Sequence, residues 1–251
     1  MQKTPELEEL CKQMQTFPMW WPEGMNRLKN DPRFKPQKVH SYEHLQGALG
    51  EIWLDMFLEE MAYLYPGFNI QPDPIQDQAS IVYATGNRIT FEYLISGKLG
   101  VFSSIHPLWK FEHGERGKVL KILPNEEYDR IILLNDLPVV FEMKTGENRK
   151  HKEISMALTH RIYFNKLAPV RQYFRKDAGY VVVIPKDLFN HYMNRPPEPC
   201  ASFQSDGGIV APFSYEREQF QAEVLRHLKE EGIIHQRFNP RWVGGRDYPT
   251  K

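Results

Sequence analysis

The first apolar pattern along the chain has helical spacing and predicts a short helix near the amino terminus. Thr4 is a candidate N-cap and Pro5 suits the first helical position, so this helix is expected to run to about Thr16. Its buried face would carry Leu7, Leu10, Cys11 and Met14. Prolines and tryptophans over residues 19–36 predict an irregular connector after it.

A longer apolar stripe predicts the main helix of the chain over residues 42–64. Ser41 can cap its start, and a Pro-Gly pair ends it. Glu51 lies at the flank of the buried stripe, just after two helical glycines, Gly47 and Gly50. Glycine inside a helix costs about 1 kcal/mol relative to alanine. The two glycines therefore indicate a close approach of another part of the backbone.

Runs of β-branched and aromatic residues predict strands in the middle of the chain. A Gly-Asn pair at 86–87 separates two such runs and predicts a hairpin, and a further strand is expected near residues 119–123. A helix over about 150–166 would then lead to a strand at 180–184. The unbroken apolar run of that strand is typical of burial on both faces.

The last part of the chain gives weaker signals. Repeated prolines predict an irregular stretch over residues 194–212. Ser214 can then cap a final helix that runs to Gly232. Arginine and aromatic residues come after this helix. They are suited either to contact with nucleic acid or to docking on the domain itself.

The most informative pattern is a second hairpin, in which two apolar runs flank Asn135 and Asp136. A two-residue turn there would place Asp129 directly opposite Glu142, whereas a four-residue loop would pair Asp129 with Lys144. Either turn keeps the three charged side chains on one face, because side chains alternate along a strand. Cross-strand Cβ atoms lie about 4.5–5.5 Å apart, so two carboxylates placed in this way can share a divalent cation.

Composition limits the functions open to the chain. Its 251 residues can bury one full core, and a hydrophobic content of 41% argues against wholesale disorder. No apolar run reaches the roughly 18 residues of a membrane span, and the amino terminus lacks a secretory apolar segment. An intracellular protein is expected, cytoplasmic in a prokaryote or a virus. The two cysteines are too few for a disulfide framework or a thiolate zinc site.

Charge is balanced over the whole chain but not along it. The formal net charge is zero, yet basic residues dominate directly after the hairpin, where a polyanion would have to lie. A solvated helix face accounts for them equally well. These residues are Lys144, Arg149, Lys150, Lys152, Arg161, Lys166, Arg171, Arg175 and Lys176, against only Glu147 and Glu153.

These residues and elements fall in a particular order: a helix with an acid, a strand with an acid, a strand that ends in acid-x-Lys, a basic helix and a buried strand. This order resembles the catalytic core of the PD-(D/E)xK nuclease superfamily. The resemblance covers about residues 41–185 and implies an α/β, restriction-endonuclease-like fold, with a central mixed sheet flanked by helices. Residues 1–40 and 186–251 would be extensions of this core within a single domain, residues 1–251.

The resemblance also implies roles for the site residues. Asp129 and Glu142 would bind Mg²⁺ or Mn²⁺, with the carbonyl of Met143 as a third ligand. Lys144 would be the catalytic base or the charge stabiliser. Glu51 resembles an acid that many members carry on the core helix, where it binds a second metal ion or holds a metal-bound water. An acid-x-Lys tripeptide alone is a weak signal, and the aspartate opposite it gives it weight.

The implied function is a metal-dependent endonuclease that hydrolyses phosphodiester bonds, with DNA as the expected substrate. Lys150 and Lys152 are candidate phosphate contacts, and a homodimer would suit cleavage of both strands. Three alternatives stay open: a nuclease that acts on RNA, a non-catalytic nucleic-acid-binding or assembly protein on the same fold, and an exposed strand edge with a surface ion pair. Tyr128 stands where the family pattern has a proline.

Overall fold

The structure is a computed structural model, and it describes residues 1–31, 41–71, 83–85, 88–90, 110–111, 119–121, 129–145 and 152–236. These residues form an α/β fold, in which a five-stranded mixed sheet lies between two layers of helices. The predicted α/β class with a central mixed sheet is confirmed. Among the residues described, no helix is both long and apolar enough to cross a membrane.

The described residues form eight α-helices and nine strands. The helices are α1 (Pro5–Gln13), α2 (Trp21–Asn30), α3 (Tyr42–Leu64), α4 (Lys152–Ala157), α5 (His160–Phe174), α6 (Lys186–Asn194), α7 (Glu198–Ser205) and α8 (Arg217–Glu230). The strands are β1 (Ile70–Gln71), β2 (Tyr83–Thr85), β3 (Arg88–Thr90), β4 (Lys110–Phe111), β5 (Val119–Lys121), β6 (Arg130–Leu134), β7 (Leu137–Met143), β8 (Gly179–Ile184) and β9 (Ile209–Pro212).

The main sheet has the strand order β1-β6-β7-β8-β9. Strands β1, β6 and β7 are antiparallel neighbours, whereas β7, β8 and β9 run parallel to one another. Strand β7 therefore has a partner on both sides and stands where the antiparallel half of the sheet meets the parallel half. Two further pairs, β2 with β3 and β4 with β5, form separate two-stranded sheets.

Alternation along the strands sends side chains into two separate hydrophobic cores. One core packs under α1, α2, α3 and α8 and takes the strand residues Val139, Phe141 and Met143 from β7. The other packs under α4, α5, α6 and α7 and takes Val140 from the same strand. All seven residues of β7 are buried. Glu142, which shares the parity of Val140, therefore points toward the layer that contains α5.

The β6–β7 hairpin has the two-residue turn that places Asp129 opposite Glu142. Leu134 pairs with Leu137, so only Asn135 and Asp136 form the turn. Their φ values are 47° and 67°, both left-handed, as the tight turn between twisted strands requires. The alternative register with a four-residue loop is wrong.

Several other predicted elements are confirmed. Thr4 Oγ1 accepts a hydrogen bond from the N–H of Leu7 at 3.2 Å, and Ser41 Oγ accepts one from His44 at 3.2 Å, so both side chains cap their helices. Helix α3 ends at Leu64 as expected. The hairpin around residues 86–87 is β2–β3, the strand near 119–123 is β5, and every residue of β8 is buried.

Two stretches predicted to be irregular contain regular elements. The stretch over residues 19–36 contains α2, and the one over 194–212 contains α7 and β9. Both helices carry their proline within the first two helical positions, where no intrahelical N–H bond is lost. Proline was therefore a start signal in these stretches, and reading it as a break was wrong.

The predicted helix boundaries after β7 and before α8 also need correction. The single helix expected over 150–166 is two helices, α4 and α5, separated at Leu158 and Thr159. Thr159 Oγ1 donates back to the carbonyl of Met156 at 2.8 Å, a local bond that competes with helix continuation. Ser214 does not cap α8, since Glu216 occupies the N-cap position without a side-chain cap bond.

Segments outside residues 41–185 contribute to the same sheet and cores. The N–H of Gln2 donates to the carbonyl of Ala178 at 3.1 Å, and α1 packs beside β9. Helix α8 packs against α2 and α3, and Phe220 of α8 is fully buried. The parts of these two segments that the structure describes are therefore integral to the layers around the site.

The hairpin turn generates a stability prediction. Asp136→Val is expected to lower the free energy of unfolding by about 1–2 kcal/mol, because a β-branched residue is strained at positive φ. Asp136→Gly is the matched control, since glycine adopts this conformation readily. The Asp136 side chain is 75% exposed, so neither change disturbs packing. Urea unfolding measures both, and equal stability of the two variants would contradict the turn assignment.

Candidate active site

The β6–β7 hairpin brings Asp129 and Glu142 together at one end of the sheet. Its register ends with Arg130 paired with Phe141, and Asp129, the residue just before β6, continues this register to a position opposite Glu142. Asp129 Oδ2 accepts a hydrogen bond from the N–H of Met143 at 2.5 Å. Glu142 is only 2% exposed, and its strand is an inner one. The surface ion pair on an exposed strand edge is therefore not what the structure contains.

Two ammonium groups from different elements contact the carboxylate of Glu142. Lys144 Nζ donates to Oε2 at 3.1 Å, and Lys166 Nζ, on α5, donates to Oε1. The Lys166 side chain is 13% exposed and that of Lys144 is 23% exposed. A buried carboxylate is costly without compensating charge and hydrogen bonds. These two contacts explain how an inner strand accommodates Glu142.

Helix α3 is attached to the chain just beyond β7 by a close contact at Gly50. A Cβ at this position would collide with the side chain of Thr145. Beside this contact, Gln46 Nε2 donates to the carbonyl of Thr145 at 3.0 Å, and Thr145 Oγ1 donates to the carbonyl of Gln46 at 3.4 Å. The close approach expected from the helical glycines is confirmed at Gly50, whereas a Cβ at Gly47 would meet nothing within 4 Å.

Glu51 follows Gly50, so the same contact brings Glu51 close to Asp129 and Glu142. Its charge helps to raise the pKa of Asp129. One turn further along α3, Asp55 accepts two hydrogen bonds from the guanidinium group of Arg130, the residue next to Asp129. This ion pair joins α3 to β6. Glu51 and Asp129 therefore stand on elements that are fixed to each other.

The electrostatics of the site are dominated by burial of Asp129. Burial raises the pKa of Asp129 to about 7, and the charges of Glu142 and Glu51 add to the effect. Lys144 and the N–H of Met143 act in the opposite direction without compensating it. The positive charge near Asp129 therefore does not offset the cost of burying its carboxylate.

The donor set fits one hard divalent cation. Two carboxylates on one face, next to the main-chain carbonyl of Met143, offer the oxygen ligands that Mg²⁺ and Mn²⁺ prefer. Within the described ranges, no group of three His, Cys, Asp or Glu side chains is arranged to hold a metal ion. Such a set is not required for Mg²⁺, which keeps several waters and uses one or two carboxylates together with substrate phosphate.

The two predicted phosphate contacts lie at the edge of what the structure describes. Lys150 falls outside the described residues. Lys152 is the first residue of α4, and its side chain also falls outside what is described. Both stay predictions. Farther from the site, Arg171 pairs with Asp177, and Lys176 pairs with Asp136.

Sequence reasoning did not identify Lys166 or Gln46 as parts of the site. Lys166 appeared only as one of many basic residues after the hairpin. A usable signal existed, because it lies three residues after Tyr163 and one before Leu167, at the flank of the buried stripe of α5. Gln46 had no comparable signal, since only the fold shows that its amide meets the carbonyl of Thr145.

Comparisons with known proteins do not add a family to this geometry. No protein-family model, no curated protein and no solved structure matches the chain. The chemistry open to this site therefore follows from its own residues and contacts.

The contact at Gly50 predicts opposite effects for two similar substitutions. Gly50→Ala is expected to lower the free energy of unfolding by about 1–2 kcal/mol, because the added methyl group overlaps with Thr145. Gly47→Ala, in the same helix, should raise it by up to about 1 kcal/mol, since it gains helix propensity in open space. Denaturant unfolding of both variants checks this, and a stabilised Gly50→Ala would contradict the close approach.

Burial of Asp129 predicts a gain in stability when its charge is removed. Asp129→Asn is expected to stabilise the metal-free protein by about 1–2 kcal/mol, because the amide keeps the acceptor for Met143 without the repulsion from Glu142. The measurement is unfolding in the presence of EDTA, with Asp136→Asn as an exposed control that should change little. A less stable Asp129→Asn variant would contradict this account.

Proposed function

We propose that the chain is a metal-dependent nuclease of the PD-(D/E)xK type, which hydrolyses phosphodiester bonds, with DNA as its expected substrate. One observation carries the proposal: Asp129 and Glu142 meet on one face of the sheet, and Lys144 contacts Glu142 at 3.1 Å. An ion pair with Lys144 does not need a second acid opposite Glu142, whereas two carboxylates on one face can share a divalent cation.

The order of elements around the acids supports the restriction-endonuclease-like fold. Helix α3 carries Glu51, the antiparallel strands β6 and β7 carry the two central acids, and α4 and α5 lead to β8, which is parallel to β7 and buried. This is the order in which the sequence resembles the family. The proposed catalytic core therefore places helices on both faces of β7.

The residues of the site have separable roles under this proposal. Asp129 and Glu142, with the carbonyl of Met143, hold a Mg²⁺ or Mn²⁺ ion. When bound, this ion supplies activation of water and neutralisation of charge on the phosphate. Lys144 places a positive charge and exchangeable protons on the same face, next to the reacting phosphate. Glu51 would bind a second metal ion or hold a metal-bound water.

The substrate would approach over the basic residues that follow β7. Lys150 and Lys152 remain the proposed phosphate contacts, because they directly follow the acid-x-Lys strand in the sequence. Contacts of this kind bind any polyanion, so they favour nucleic acid without choosing DNA over RNA. Association of two chains as a homodimer would bring two sites to the two strands of a duplex.

A second candidate function is non-catalytic nucleic-acid binding on the same fold. The observation that favours it is that both oxygens of Glu142 already accept bonds from ammonium groups. In this case the lysines and Glu142 would form a purely structural cluster. Binding with a steep salt dependence and without cleavage would then be expected.

Cleavage assays separate these two functions. Labelled single-stranded DNA, double-stranded DNA and RNA are incubated with the wild-type chain in Mg²⁺ or Mn²⁺, and with Glu142→Gln and Lys144→Ala. Cleavage by the wild type is expected to depend on the metal and to fall by at least about 100-fold in both variants. Lys12→Ala, at a lysine that is 70% exposed on α1, is the control that should keep full activity.

Circular dichroism establishes that the variants are folded, as this comparison requires. Binding of nucleic acid without cleavage of any of the three substrates would contradict the nuclease and support the second candidate. Cleavage that persists in Glu142→Gln would contradict the assignment of the site.

A further inference from the structure

The two lysines that contact Glu142 differ in how firmly the fold holds them. Lys166 belongs to α5, whose buried residues Tyr163 and Leu167 are each 0% exposed and anchor the helix on the sheet. Lys144 lies one residue beyond the end of β7, and its side chain is the more exposed of the two. Lys166 is therefore the fixed partner of Glu142.

The formal charges around the acid pair leave room for one divalent cation. Three carboxylates, those of Glu51, Asp129 and Glu142, stand against the two ammonium groups of Lys144 and Lys166. With Asp129 ionised, these five side chains of the described residues carry one net negative charge. One divalent ion would reverse this to one net positive charge, which complements a single phosphodiester. A second ion would leave a large uncompensated excess in a buried site.

We propose that the ammonium group of Lys166 takes the place of a second divalent cation, so that the site binds one ion. Lys166 is then a positioning residue, which acts by holding Oε1 of Glu142, while the metal ion would take Oε2 in place of the more exposed Lys144. This inference rests on the proposed function, because it assumes that Asp129 and Glu142 bind a divalent cation.

The geometry at Glu142 favours a single ion over two. In two-metal sites the ions lie about 3.5–4 Å apart and are drawn together by shared acidic ligands. Here Oε1 of Glu142 accepts a bond from an ammonium group that the packing of α5 keeps in place. Glu51 would consequently hold a water, which selects one of the two roles that the sequence left open for it.

Binding of Mn²⁺ without nucleic acid tests the inference. Titration calorimetry on the full chain is expected to give one ion per wild-type chain. Lys166→Met should bind Mn²⁺ at least tenfold more tightly, because the positive charge that repels the metal ion next to Glu142 is removed. The same variant should cleave nucleic acid more slowly. Lys166→Arg keeps the charge and should bind Mn²⁺ as the wild type does. Lys12→Met, which removes an exposed charge, should leave the affinity unchanged.

A second variant keeps the test decisive if Lys166→Met does not fold. Lys166→Gln can still donate to Glu142 Oε1 without a charge, so it should also bind Mn²⁺ more tightly. The inference would be overturned by two ions per wild-type chain, or by unchanged or weaker Mn²⁺ binding in both neutral variants. Metal-dependent cleavage by the wild type would still support the proposed function in that case. No Mn²⁺ binding and no cleavage by the wild type would overturn both.

Discussion

A carboxylate inside an inner strand imposes conditions on everything around it. Glu142 is 2% exposed in a strand that has partners on both sides, so water cannot compensate its charge. Removing one partner from a buried ion pair costs about 3–5 kcal/mol. The fold meets this demand with one ammonium group from the end of β7 and another from α5. Placement of α5 on this face of the sheet is therefore a requirement of charge as much as of packing.

On the opposite face of β7, the position of helix α3 is set by a close steric contact. At Gly50, helix α3 approaches Thr145 so closely that no side chain fits. Gln46 of α3 exchanges two hydrogen bonds with Thr145 at the same place. Arg130 and Asp55 fix the same helix to β6. Asp129 and Glu51 are thereby held near Glu142 by contacts that involve none of the three. Geometry of this kind holds acidic groups together despite their repulsion.

Local chemistry in the sequence predicted the central hairpin but left open whether its turn has two or four residues, which the structure decided. Asn135 and Asp136 tolerate positive φ, and the alternation of the flanking residues sets the register once the turn is known. Local chemistry also predicted the caps Thr4 and Ser41. Proline was the weak point of the sequence reasoning, because the same residue ends one helix and begins another. Only the helical residues that follow it decide which.

Long-range contacts could not be predicted in this way. Lys166 is 24 residues from Glu142 along the chain, and its contact depends on where α5 crosses the sheet. Gln46 and Thr145 are 99 residues apart. Periodicity identifies the buried stripe of a helix, yet it does not give the strand on which the stripe packs or the rotation about the helix axis. Residues at the flank of a stripe, such as Glu51 and Lys166, depend on that rotation most.

The complete burial of β7 has a consequence for how this chain can vary. A shift of one position along β7, as a single inserted or deleted residue in the β6–β7 turn would cause, keeps every ladder hydrogen bond possible while it exchanges the two faces. Val139 and Phe141 would then move to the α5 side, and Glu142 would point into the apolar core beneath α3. Length changes by an odd number of residues are therefore excluded here even though the turn itself is exposed, whereas a change of residue type is tolerated where the new residue adopts positive φ. The length of this hairpin therefore determines whether Glu142 faces the residues of the site.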